Sequence, residues 1–142
     1  MSESKTICVK FTVPAVPVAQ PRARATTVNG QARMYEAKKS HAIHDFKASV
    51  RLAASQAYSG PPIEGPLQAT LCFVFQSKSK QRRYKATKPD TDNLAKGLLD
   101  SLNGLLYRDD GQVVRLHVEK WHASKDEQPH VEASFYRLPP VY

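Results

Sequence analysis

The hydrophobic period of this chain switches repeatedly between two residues and three to four, and that switching leaves few folds open. Over residues 6–13, Ile7, Val9, Phe11 and Val13 fall on one face and Thr6, Cys8, Lys10 and Thr12 on the other, as in a half-buried strand. From about Glu36 to Tyr58 the apolar positions Ile43, Phe46, Val50, Ala53 and Ala57 take helical spacing, and Gly60-Pro61-Pro62 stops that helix. Leu67, Ala69, Leu71, Phe73 and Phe75 return to a period of two. Leu94, Leu98, Leu102 and Leu105 mark a second helix, opened by Pro89-Asp90-Thr91-Asp92-Asn93, where aspartate is a good N-cap and suits the positive end of the helix dipole. Strands from about Gln112 to Trp121 and from about His130 to Leu138 close the chain. The order β-α-β-α-β-β predicts an α+β fold: a single domain over residues 1–142, with one mixed β-sheet and two main helices packed on it.

The connections are informative too. Pro14, Pro17 and Pro21 forbid a regular ladder after the first strand, and Asn29-Gly30 is a turn dipeptide. Segment 77–88 carries six basic residues (Lys78, Lys80, Arg82, Arg83, Lys85 and Lys88) and no acid. Its place between two elements makes it a functional loop rather than a linker. Cys8 and Cys72 both fall in strand patterns, so they read as free thiols in a reducing compartment. The start MSESKTICVKF has no signal-type apolar run, and no stretch approaches the roughly 18 apolar residues that span a bilayer. A cytoplasmic protein with no membrane partner is the expectation.

Charge narrows the partner. Lys plus Arg number 21 against 13 Asp plus Glu, a net charge of +8, which suits a polyanion whose counterions are released on binding. Candidate phosphate contacts are Arg22 and Arg24 after the first strand and Lys78, Lys80, Arg82, Arg83, Lys85 and Lys88 in the basic loop. Tyr84, between them, either stacks on an unpaired base or packs locally.

Three acids are candidates for chemistry: Asp90 and Asp92 at the mouth of the second helix, and Asp110 in the turn before the next strand. Phosphodiester hydrolysis needs charge neutralisation and an activated water, which Mg²⁺ supplies with oxygen ligands. The plainer alternatives are an N-cap for Asp90 or Asp92 and a simple turn for Asp110-Gly111. Lys96 lies four residues from both Asp92 and Asp100. It is either a surface ion-pair partner or an ammonium held near the scissile phosphate. Residues alone leave both readings open.

The stretch Lys88-Pro-Asp90-Thr-Asp92-Asn93-Leu-Ala-Lys96, followed by Asp100-Ser-Leu and then Asp109-Asp110-Gly-Gln112-Val113-Val114, resembles the signature of RusA-type Holliday junction resolvases. Pro17, Pro21, Arg22 and Arg24 resemble that family's Pro- and Arg-rich segment more loosely. The resemblance implies a homodimeric endonuclease that binds four-way DNA junctions and nicks opposing strands with Mg²⁺, Mn²⁺ substituting, in recombination and repair. It implies Asp90, Asp92 and Asp110 as metal ligands and catalytic acids, with Lys96 needed for cleavage. Asp100, two further turns into the helix, and Asp109, a turn-shaping residue, rank below them; Lys120, at the end of the third strand, either points towards the same site or, the reading preferred here, is a solvated strand end. The competing classes are a Mg²⁺ nuclease acting on other branched DNA or on RNA, and a non-catalytic nucleic-acid-binding module.

Overall fold

The computed structural model describes residues 5–21 and 31–139, with backbone alone over 31–40. Strand β1 (Thr6–Val13) buries Val9, Phe11 and Val13, as its alternation requires. Ile7 departs from the pattern and is 53% exposed, because the register against the neighbouring strand shifts between Ile7 and Val9. One extra residue in a strand turns every side chain before it to the other face. Helix α1 spans Gln31–Ala57, several residues longer at its start than its apolar spacing suggested. Its first turns are built from Ala32, Arg33, Met34, Glu36, Ala37 and Lys38, strong helix formers that carry no apolar stripe to announce them.

Strand β2 (Leu67–Ser79) continues four residues past the predicted alternation. A two-residue strand, β3 (Arg83–Tyr84), was not anticipated within the basic loop. Helix α2 (Thr91–Ser101), a 3₁₀ turn (Asp110–Gln112), β4 (Val113–Ser124) and β5 (His130–Arg137) complete the chain. The sheet order is β1-β5-β2-β4-β3, and β2 with β4 is its parallel pair. The expected mixed sheet with two main helices is therefore present, but β4 and β5 are not neighbours. β5 inserts between β1 and β2, antiparallel to both. A parallel pair cannot be joined by a tight turn, and α2 lies within the β2–β4 crossover.

Ile43, Phe46 and Val50 of α1 and Leu94, Leu98 and Leu102 of α2's stripe share one core with Val9, Phe11, Leu71, Phe73, Val131 and Phe135 of the sheet. Both helices thus cover the same sheet face. An 11-residue helix is marginal by itself. Packing holds it: Leu94, Leu98 and Leu102 are fully buried, each contributing about 1.5–3 kcal/mol relative to exposure. The predicted stripe overran at Leu105. Gly104, at φ +80, terminates the turn beyond α2. Leu105 is left partly buried, and Leu106 takes the core position instead.

Two contacts fix α2 at its ends. Gly97 leaves room for the segment after β1: a Cβ there would lie 3.2 Å from Ile43 Cδ1 and 3.5 Å from the Gln20 backbone nitrogen. Gln20 N–H donates to the Asn93 carbonyl at 3.0 Å. At the other end Tyr107, fully buried, donates its hydroxyl to the Leu99 carbonyl at 2.7 Å.

Candidate active site and nucleic-acid interface

Asp90 is the N-cap residue of α2, with extended backbone (φ −76, ψ 148), but its side chain makes no capping hydrogen bond. A carboxylate at an N-cap ordinarily satisfies an N2 or N3 amide, so the plain capping role is not the one Asp90 plays. It lies 4.0 Å from the highly exposed Lys88 ammonium. Asp92 is exposed in the first turn, and its Oδ1 accepts the Asn93 amide at 2.9 Å.

The turn before β4 separates its two aspartates by role. Asp109 caps the 3₁₀ turn: its Oδ2 accepts Gly111 N–H at 2.8 Å, and Gln112 Oε1 accepts the Arg108 and Asp109 amides at 2.9 and 3.1 Å. Gln112 Nε2 then donates to the Ile63 and Gly65 carbonyls, fastening the turn to the β2 approach. With capping done by Asp109, Asp110 is released from it. Burial pushes the Asp110 carboxyl above the usual carboxylate range; the hydrogen-bonded Asp100 and the negative charge of Asp100 and Asp109 push the same way, and Lys96 opposes them. Lys96 Nζ stands 4.0 Å from Asp100 Oδ2.

Of the predicted site residues the structure therefore joins Asp110 and Lys96, through Asp100, a residue the sequence ranked below them. The signal was present: Asp100 falls one helical turn after Lys96. What sequence could not supply was the path of residues 102–110, which returns Asp110 to the end of α2. Asp90 and Asp92 sit at the opposite end. Asp92 and Asp100 are eight residues apart, about 12 Å of helix rise. Among the described residues no three His, Cys, Asp or Glu side chains are grouped as a ready cage for a metal. The donors nevertheless suit Mg²⁺, which takes hard oxygens and usually needs only one or two carboxylates, with water and phosphate filling the rest. The mutual repulsion at Asp100–Asp110 is what a cation would relieve.

Lys120 is not the solvated strand end that its position in the sequence suggested. Opposite Phe73 in the parallel pair, it points to the helix-covered face. Its Nζ donates to the Thr87 and Pro89 carbonyls at 2.7 and 2.9 Å.

The basic loop divides between the two faces of the sheet. Arg82 turns to the face without helices, where it pairs with Glu127 and Glu132 and lies 5.7 Å over the Trp121 ring. The Arg82 hydrogen bond holds the Glu127 carboxyl below its ordinary range. For Glu132, burial pushes upward but is outweighed by the bonds from His130 and Arg82. An arginine held by two carboxylates is engaged within the fold, which departs from the expected phosphate contact. Tyr84 packs on Trp121 with ring centroids 4.1 Å apart, yet remains 69% exposed. Arg83 pairs with His122, so it shares the other face with Lys120. Lys85 Nζ donates to Thr87 Oγ1 and lies 5.2 Å over the Phe75 ring. Burial lowers the His122 pKa, aided by Lys85 and Arg83. Lys78 and Lys80 are exposed. Arg22 and Arg24 lie outside the described residues.

A family described as endodeoxyribonuclease RusA matches residues 14–134. The chain belongs to the RusA family. This RusA-family chain is also 26% identical over 120 residues to a crossover junction endodeoxyribonuclease rusA of Lactococcus phage r1t, covering 82% of this chain and 89% of the relative. It is 41% identical over 139 residues to the uncharacterized protein YqaN of Bacillus subtilis (strain 168), covering 88% and 93%. Among the described residues, no helix is long and apolar enough to cross a membrane.

Proposed function

We propose that this chain is a Mg²⁺-dependent endonuclease that resolves four-way DNA junctions by paired nicking, in recombination and repair. The observation that carries the reading is the division of labour in the motif: Asp109 caps the turn, while Asp90 makes no capping bond and Asp110 sits among like charges beside Lys96. Stability alone gives no reason to crowd carboxylates in this way. In this reading Asp90 and Asp92 at the mouth of α2 and Asp110 beside Asp100 at its far end offer carboxylates to Mg²⁺, with Mn²⁺ as a substitute. They do so as two separate acid groups rather than one three-carboxylate cage. Bound there, Mg²⁺ would supply charge neutralisation for the phosphate and activation of the attacking water. Lys96, 64% exposed and balanced by Asp100, offers its ammonium to the scissile phosphate. Arg83, Lys85 and Lys88 draw the backbone towards the mouth of α2, with exposed Lys78 and Lys80 extending the track.

Junction geometry enters from the phage relative's name and from symmetry. A four-way junction has approximate two-fold symmetry, and a C₂ homodimer carries two identical sites in that relation. The test is cleavage with Mg²⁺ on matched four-way, Y-shaped, duplex, single-stranded and RNA substrates, with sedimentation of the protein alone and on the junction. Paired nicking of the four-way substrate by a dimer is expected. Equal cleavage of Y-shaped DNA or RNA replaces the junction assignment with a broader nuclease, and a monomer on junction removes the dimer. Binding without nicking, unchanged by EDTA, would leave a non-catalytic module.

A further inference from the structure

We infer that Lys120 is a positioning residue for the Asp90 carboxylate, setting the protein's affinity for Mg²⁺ rather than its affinity for DNA; this rests on the nuclease reading above. Lys120 ties the approach to α2 at three points. Its backbone carbonyl accepts the Lys85 amide at 3.0 Å. Its ammonium donates to the Thr87 and Pro89 carbonyls. Pro89 is the residue immediately before Asp90, so one of these bonds fixes the peptide that carries the N-cap carboxylate. Asp90 itself has no capping bond to hold it. Its direction is therefore set by this backbone and by the distant, exposed Lys88.

Electrostatics argues that the lysine is more than a staple. The N-terminus of a helix carries partial positive charge, and a cation there is normally unfavourable. A neutral donor would bind the same two carbonyls without that conflict. An ammonium is favoured only where carboxylates are concentrated, and Asp90 and Asp92 supply them. The same charge sits beside the site through which the basic track Arg83, Lys85 and Lys88 leads.

The test compares Lys120→Met and Lys120→Arg with the parent full-length protein. Calorimetry with Mg²⁺ alone measures metal affinity without DNA, and cleavage is followed across a Mg²⁺ titration. Outer-shell partners of metal ligands typically change metal affinity by about 10–100-fold, so Lys120→Met should weaken Mg²⁺ binding and raise its half-saturating concentration by about tenfold or more. Cleavage should recover at high Mg²⁺, junction affinity in EDTA should change by no more than about twofold, and Lys120→Arg should restore most of the loss. If Lys120→Met does not fold, Lys120→Gln carries the same comparison. An unmoved Mg²⁺ requirement, with activity reduced equally at every concentration or only the melting temperature lowered, overturns the positioning role while the nuclease reading stands. A parent that neither binds Mg²⁺ nor cleaves overturns both.

Discussion

Replacing Asp110 with Asn separates chemistry from folding, because the two move in opposite directions. Asn keeps the size of Asp and carries a permanent N–H. In the parent, Asp110 is pushed above the usual carboxylate range by burial, by Asp100 and by Asp109. Asn at 110 is uncharged at every pH and removes one of the clustered negative charges. Relief of a like-charge contact of this kind is worth a few tenths of a kcal/mol, about 1–2 °C in melting temperature for a domain of this size. Folding should therefore be unchanged or slightly strengthened. Cleavage should fall by about 10²–10³-fold, the scale of losing one preorganised charge-stabilising group at an active site.

Asp92→Asn provides the comparison from the other end of α2. Its Oδ1 bond to the Asn93 amide is kept by the Asn side-chain oxygen, so folding should again be spared while cleavage collapses. Both variants should bind junction DNA in EDTA as well as the parent or slightly better, since a negative charge near the phosphates has gone. If the two aspartates serve one metal centre, the double variant should cleave little worse than the weaker single, because groups that act as a unit are not additive. Parent-like cleavage by either single variant, at matched melting temperature and saturating Mg²⁺, would refute the catalytic assignment for that aspartate. Losses that multiply in the double variant would refute a shared centre.

The basic loop yields two further expectations. Arg82→Ala should lower stability by about 1 kcal/mol after solvent screening of the partly exposed pairs, an effect read from melting curves at several pH values. Glu127 and Glu132 have lowered folded pKa values, so their contribution is fully present above the ordinary carboxylate range and is lost as pH falls through the folded values. The gap between variant and parent should thus be constant near neutrality and close below about pH 4.5; a gap that persists in strong acid would show that packing on Trp121, not charge, is responsible. Arg83→Ala with Lys85→Ala should flatten the log–log salt dependence of junction binding by up to about 0.9 per lost contact, whereas Arg82→Ala should leave the slope alone; the reverse pattern would put Arg82 on the DNA.

How much of this was legible in the sequence depended on the range of the interaction. The alternation of residues 67–75 and the spacing of Leu94, Leu98 and Leu102 are local, and they located β2 and α2 correctly. The Asp109–Gln112 turn is also local, and Asp109 does shape it. Strand β3 is two residues long, too short for any period, and exists because Arg83 and Tyr84 find His122 and Trp121 nearly forty residues later. The Arg82–Glu127 and Arg82–Glu132 pairs span 45 and 50 residues, and nothing near Arg82 announces them. The adjacency of β5 to β2 rather than to β4 is likewise a property of the whole sheet. The same holds in the site: the motif spacing marked Asp90, Asp92, Lys96 and Asp110, but Asp100 and Lys120 acquire meaning only from what the fold brings to them.

The topology explains why these residues lie along a single helix. A parallel pair requires a crossover, and α2 in that crossover runs back against the direction of β2 and β4. Its N-terminus meets the carboxyl end of the pair, where the basic loop emerges and Lys120 reaches across from β4. Its C-terminus meets the turn that feeds β4, where Asp110 meets Asp100. Lys96, four residues from Asp92 and four from Asp100, stands between the two carboxylate groups on the same helix. One short element thereby carries both groups and the cation between them, held rigid by three fully buried leucines and by the buried Tyr107 hydroxyl. A shift of α2 along its axis would move Asp92 and Asp100 at once relative to the sheet-borne Lys120 and to Asp110 in the turn before β4. The close packing of Gly97 against Gln20 and Ile43 opposes that shift, so the glycine that weakens α2 as a helix strengthens it as a mount for the site.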